Sequence, residues 1–275
     1  MNWETKFNDN WVSKISTVLC FLFVFAVAVH AQDRTAAGAY NEGLALLKEK
    51  NYEEGLTLLE EALTLATESE NEKVMGLAKK NGSVAAYNAG NAKRKAEEHQ
   101  AALDLYNKGI ELNPANSSNY EGLARTYEAQ GMLVEAVTSY VDAGVKGIEE
   151  GKDKRAQNRL KKAQNLVGKQ YIAKNYDDAI ALGTAFIELK DDNAEVQYYM
   201  SRSLAEKGSS EEALAHIEKA IMLTAESGTP DKYTFAKGDQ LQNLGRNADA
   251  IAAFKMITEE KFKKQADYRI QKLQG

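Results

Sequence analysis

A spacing of 34 residues, held through much of the chain, limits what this sequence can fold into more than any other feature. Gly90, Ala102, Tyr106 and Pro114 stand 34 residues before Ala124, Ala136, Tyr140 and Ile148. Ala213, Ile217 and Ala220 return 37 residues on as Ala250, Phe254 and Ile257. A period of this length marks a repeat architecture, in which one supersecondary unit is copied and stacked on its neighbour. No unit of this size buries its apolar face alone, so stacking is obligatory, and a stack offers a long surface to other molecules. The period therefore implies binding work and leaves the ligand open.

Six blocks fall into one register: 36–69, 83–116, 117–150, 161–193, 194–227 and 231–264. Block position 8 is small throughout, as Gly43, Gly90, Ala124, Gly168, Ser201 and Gly238. Position 20 is small as well, as Gly55, Ala102, Ala136, Ala179, Ala213 and Ala250. Position 24 is large and apolar, as Leu59, Tyr106, Tyr140, Ile217 and Phe254, with Gly183 the exception. Small residues let two helix backbones approach, and the large one fills the space beside them. Each block thus reads as two helices joined by a tight turn, marked at position 15 by Gly131, Gly208 and Gly245, because glycine ends a helix in the left-handed conformation at little cost. Pro114 and Pro230 fall at block boundaries, where a missing amide proton matters least.

The run Tyr120-Glu121-Gly122-Leu123-Ala124 with Tyr127, Gly131, Ala136, Tyr140 and Ala143 resembles the tetratricopeptide repeat family nearly position for position, and the likeness extends over 36–264. The resemblance implies an all-α, right-handed superhelical solenoid of about six helix-turn-helix repeats over residues 32–275, as in an exported bacterial member of the family. A capping helix is expected over about 262–274, where Phe262, Ala266, Ile270 and Leu273 form an apolar stripe beside Lys263, Lys264, Arg269 and Lys272. Residues 70–82 and 151–160 interrupt the register and are expected to lengthen neighbouring helices.

The first 31 residues are of a different character. Lys14 precedes an apolar run from Ile15 to Val29, and Val29-His30-Ala31 supplies the small residues of a cleavage site. This reads as a secretory signal peptide cut between Ala31 and Gln32, with a retained anchor as the alternative. The run is shorter than the ~20 apolar residues that cross a bilayer, so no stable membrane span is expected after processing. Cys20 is the sole cysteine, so the processed chain would have neither disulfides nor thiol chemistry. The expected location is periplasmic or secreted. A net charge of −5 gives no support to nucleic-acid binding.

Catalytic candidates are sparse. His99 and His216 sit in separate blocks without a companion at metal-ligand spacing, and both read as solvated surface. The stretch from Gly144 to Lys152 has the wrong glycine spacing for a phosphate loop. The carboxylates fall on faces that charge patterning marks as wet. The expectation is a non-enzyme with no metal and no cofactor.

In the resembled family the inner face is lined by positions 2, 5, 9 and 12 of each first helix, with 6 and 13 at its edges. Offsets of three and four do share one helix face. Carried over, they name Tyr40 and Asn41; Tyr87, Asn88 and Asn91; Glu121 and Arg125; Lys162, Asn165 and Lys169; Tyr198, Tyr199 and Arg202; then Phe235 and Asp239. Tyrosine, asparagine and arginine suit peptide recognition, since rings give rigid contact area and amides hold an extended backbone. The competing reading is that the tyrosines pack against neighbouring helices. The carboxylate clamp of one family subset is not carried over, because Tyr87, Gly122 and Leu166 replace its residues. A second cluster, Lys154, Arg155, Arg159 and Lys162, would share one helix side as a seat for an acidic partner or lipid headgroup, or as a solvated face. The functional expectation is a non-catalytic scaffold of the cell envelope that docks a protein or peptide segment on its concave face. The alternatives are a self-associating structural oligomer and an exported chaperone for client proteins.

Overall fold

A computed structural model describes residues 34–275, and among them every regular element is helical. The expected signal segment and its Ala31–Gln32 junction lie outside the described residues. The helices are α1 (Ala36–Lys48), α2 (Tyr52–Glu68), α3 (Glu72–Lys95), α4 (His99–Leu112), α5 (Ser117–Ala129), α6 (Leu133–Glu149) and α7 (Asp153–Ile172). They continue as α8 (Tyr176–Leu189), α9 (Ala194–Glu206), α10 (Ser210–Thr224), α11 (Asp231–Asn243), α12 (Asn247–Lys255) and α13 (Glu260–Gln274). The fold is an all-α solenoid of helix pairs. Both interruptions of the register lengthen helices as expected, giving the 24 residues of α3 and the 20 of α7.

The turns follow one rule across all six blocks. Gly131, Gly208 and Gly245 take φ of 75°, 85° and 72°. Lys50, Glu97 and Lys174 stand at the same block position with φ of 65°, 62° and 63°. The backbone conformation is thus set by the helix-turn-helix geometry, and three blocks adopt it without the residue that suits it. Where the chain enters a first helix, side chains cap it: Asn116 Oδ1 accepts from the Ser118 amide, and Asn193 Oδ1 from the Val196 amide.

Two compact units emerge, one through Ala85 and one from Ala86 to Gly275. In the first, α1 and α2 cross at paired glycines. A Cβ on Gly43 would lie 3.1 Å from the Gly55 carbonyl oxygen, so the backbones approach closely beside the Leu59 and Leu47 side chains. Ala39, Ala62 and Ala78 fill the seam beyond, with Ala36, Ala66 and Val74 alongside.

In the second unit, helices α4 to α13 stack in chain order, each packing on its successor. The large residue at block position 24 is the wedge. Tyr106 is fully buried between Gly90 and Gly122, and Phe254 lies against Gly238. Block four lacks this wedge because it carries Gly183, and Met200 from the next first helix occupies the space. The sequence exception is thus a wedge supplied from the opposite side. The final helix α13 caps the stack with Phe262, Ala266, Ile270 and Leu273 packed on the last core cluster. Asp231 fastens its start, its Oδ2 accepting from the Thr258 and Glu259 amides at 2.6 and 2.5 Å.

Candidate functional site

The first helices of the second unit pair off unevenly. Helices α7, α9, α11 and α13 touch in series, whereas the gap between α5 and α7 is spanned by side chains. Arg159 on α7 reaches Glu121 on α5 at 2.7 Å, and Lys162 reaches Glu128 at 3.4 Å. Arg159 is only 4% exposed and also donates to Ser117 Oγ at 2.8 Å and to the Ala143 carbonyl at 3.0 Å, joining α5, α6 and α7. Burial alone would raise the Glu121 pKa, but hydrogen bonds and charge from Arg159 and Arg125 outweigh it and hold the carboxyl below the ordinary value.

This gap is a groove of about 950 Å³. Tyr87 and Arg94 on α3, Glu121 and Arg125 on α5, Tyr140 on α6, and Arg155, Asn158 and Lys162 on α7 line it. The Tyr140 hydroxyl donates to Glu128 at 2.7 Å, and burial followed by that carboxylate pushes its pKa far upward, so the phenol stays protonated. Arg125 pairs with Glu121 at 2.5 Å, leaving its head more than half exposed in the groove.

Farther along the unit the inner face is closed by its own side chains. Rings of Tyr176, Tyr171, Tyr199, Tyr198 and Tyr233 form a ladder with successive centroid separations of 6.3, 5.7, 5.7 and 5.3 Å. Lys232 stands 5.0 Å from the ring centres of both Tyr198 and Tyr233, and its ammonium pairs with Glu195 at 2.7 Å. Burial and the nearby Glu195 push the Tyr199 pKa up to about 12. Arg202 reaches Asp239 at 3.2 Å, and Arg269 from α13 reaches the same carboxylate at 3.4 Å. Phe235 lies between Phe254 and Phe262, at centroid distances of 5.4 and 6.0 Å.

Of the inner-face residues named from sequence, the groove gathers Tyr87, Glu121, Arg125 and Lys162. Asn91 lies on α3, half-buried and accepting from the Tyr106 hydroxyl, while Asn88 is half-buried on the same helix. Asn165 and Lys169 are exposed on α7 but do not line the groove. Tyr198, Tyr199, Arg202 and Phe235 belong to the closed stretch, partnered within their own unit. In the first unit, the Tyr40 hydroxyl accepts from Asn81 Nδ2 at 3.0 Å and Asn41 is exposed. The second sequence cluster needs correction: Arg159 is not on a wet face, because it sits inward holding Glu121, while Arg155 and Lys162 join the groove. The histidines are not solvated either. His216 is half-buried with Nδ1 2.7 Å from Gln197 Oε1, and burial lowers its pKa. His99 is also half-buried.

Arg94, Ser118, Glu128, Tyr140 and Asn158 also line the groove, though the inner-face positions named from sequence did not include them, nor Arg155. Arg94 and Glu128 hold position 12 of their blocks, and Ser118 holds position 2, so the same offsets could have found them. Asn158 and Arg155 precede Lys162 by four and seven residues, one helix face continued back into the insertion. Among the described residues no group of three or more His, Cys, Asp or Glu is placed to hold a metal. No described helix is long and apolar enough to cross a membrane.

Two family models described as tetratricopeptide repeat match residues 84–116 and 105–138. The chain is 30% identical over 128 residues to the photosystem I assembly protein Ycf3 of Synechococcus sp. strain CC9605, covering 46% of this chain and 68% of the relative. It is 26% identical over 153 residues to the protein of the same name from Rippkaea orientalis, covering 56% and 75%. Among solved structures, the complex of the TPR2AB domain of yeast Sti1 with pHSP90 is similar at 16% identity and a TM-score of 0.37, covering 87% of this chain and 98% of that one.

Proposed function

The chain belongs to the tetratricopeptide repeat family, and from that premise we propose that it is a non-catalytic scaffold whose groove between α5 and α7 holds a segment of a protein partner. The observation that carries this reading is the contrast along one face. Tyrosines and ion pairs fill the inner surface from α7 to α13, whereas the stretch between α5 and α7 keeps about 950 Å³ open and lines it with arginines, tyrosines and an amide. Such side chains give recognition more readily than they give packing.

The curated relatives are named for the assembly of photosystem I, which supports reading this chain as an assembly factor that presents a component of a multiprotein complex. The apolar run from Ile15 to Val29 and the small residues before Gln32 support placing that work outside the cytoplasm, at the cell envelope. Fractionation of the host's compartments checks the placement, and recovery in the cytoplasm with residues 1–31 intact overturns it.

The docking reading is tested by affinity capture from native extract with the full chain and with a Tyr87→Ala, Asn158→Ala pair. Partners held by the full chain should be lost from the pair, and a control change in the closed stretch, Tyr198→Phe, should keep them. Equal capture by all three removes the groove as the docking surface. A mass that rises with concentration in light scattering and does not need the groove points to self-assembly instead. Capture of many unrelated unfolded proteins points to a chaperone.

A further inference from the structure

Resting on the docking reading, we infer that the segment taken by the groove is acidic, an extended stretch of a protein partner whose Asp or Glu side chains pair with Arg94, Arg125 and Arg155. Five cations line the groove, Arg94, Arg125, Arg155, Arg159 and Lys162, against two carboxylates, Glu121 and Glu128, a formal balance of 5 − 2 = +3. The whole chain carries −5, so everything outside the groove sums to −5 − 3 = −8. Positive charge is therefore concentrated at one place on an otherwise acidic molecule.

The balance is sharper once internal pairs are set aside. Arg159 is committed, buried against Glu121, Ser117 and the Ala143 carbonyl. Lys162 has Glu128. Arg125 shares the Glu121 that already serves Arg159. Among the described residues, Arg94 and Arg155 pair with no carboxylate; Arg94 hydrogen-bonds the Tyr106 hydroxyl but keeps its buried Nε without a partner. Cations gathered on a partly walled surface raise one another's energy, and an incoming carboxylate relieves that while gaining bidentate hydrogen bonds. The Tyr87 and Tyr140 rings supply apolar walls, and Ser118 and Asn158 can meet peptide backbone.

The same distribution argues against a nucleic acid. A duplex presents continuous phosphate charge over a much larger footprint. A short acidic peptide meets only the groove.

The experiment uses the full chain on an array of random-sequence short peptides, compared with an Arg94→Gln, Arg125→Gln, Arg155→Gln variant and with an all-Lys version of the same three changes. The bound set should be rich in Asp and Glu. Loss of each ion pair should weaken those spots about tenfold, and the Lys version should retain a large share of the signal. Peptides that are neutral or basic, yet vanish in the Gln variant, overturn the acidic assignment while leaving docking in the groove intact. A bound set unchanged in the Gln variant removes both. An array without binders, or duplex DNA competing as well as the acidic peptides, also overturns the assignment.

Discussion

Replacing Gly122 with alanine adds one methyl group at a joint with no room for it. A Cβ there would stand 2.5 Å from two ring carbons of Tyr106, well inside the separation that carbon atoms tolerate. The ring cannot withdraw. It is fully buried, a Cβ on Gly90 would also lie within 2.7 Å of it, and its hydroxyl is tied to Asn91 Oδ1 at 3.0 Å. Overpacking of this kind costs about 1–3 kcal/mol. Alanine gains about 1 kcal/mol over glycine in helix propensity, which partly offsets the clash. With a contact this close the clash lies at the upper end of that range, about 2–3 kcal/mol, so the net expectation is a loss of about 1–2 kcal/mol, or about 3–6 °C in melting temperature for a chain of this length. Urea unfolding followed by circular dichroism reads the change, and the decisive comparison is the same substitution in a Tyr106→Leu background. With the ring gone, only helix propensity remains and Gly122→Ala should become neutral or stabilising, a coupling of about 2 kcal/mol. A Gly122→Ala protein as stable as the parent, or an equal loss in both backgrounds, refutes the wedge as the source of the packing.

Five other outcomes follow from the same geometry. Lys174→Gly, and likewise Lys50→Gly and Glu97→Gly, should each stabilise by about 0.5–1 kcal/mol, since the strain of a left-handed non-glycine residue exceeds the added chain entropy; a melting temperature that falls in all three contradicts the turn argument. Arg159→Met should cost about 3 kcal/mol, measured by urea unfolding, because it leaves a half-buried Glu121 with the more exposed Arg125 alone and leaves Ser117 and Ala143 short of a donor. Glu121 is held below the ordinary carboxylate value of 4.5, so its contribution is whole above that pH and is lost as pH falls through its lowered folded value; Glu121→Gln should flatten that part of the acid unfolding curve. Asp239 acts with the opposite sign, since burial raises its pKa despite Arg269 and Arg202, and Asp239→Asn should be least harmful near neutral pH. Finally, Asp231→Ala removes the acceptor for two amides at the start of α13 and should cost about 1–2 kcal/mol, seen as faster amide exchange confined to that helix; unchanged exchange there shows that α13 is held by its apolar stripe alone.

The period and its small residues were enough to recover the helix pairs, because block positions 8, 20 and 24 carry the packing rule in residue size alone. Gly183 looked like a fault in that rule, since its compensation by Met200 comes from another block and is visible only once helices are laid side by side. The turns at Lys50, Glu97 and Lys174 were hidden for the opposite reason: the backbone there is imposed by its neighbours on residues that would not choose it. The inner face was legible as a set of positions but not as an open or filled surface. That distinction depends on pairings such as Arg202 with Asp239, 37 residues apart, and on a tyrosine ladder drawn from α7, α8, α9 and α11. Arg159 illustrates the limit most clearly, because composition reads it as one more surface cation and its geometry makes it a structural tie.

The unequal spacing of the first helices has a mechanical corollary. From α7 onward, ring against ring and helix against helix resist shear, so that stretch behaves as a stiff beam. Between α5 and α7 the load passes through the Arg159 and Lys162 ion pairs, the Arg159–Ser117 hydrogen bond and the intervening α6. An occupant that draws Arg125 away from Glu121 would change the tension on Arg159 at the same moment, so filling the gap and altering its width are one event.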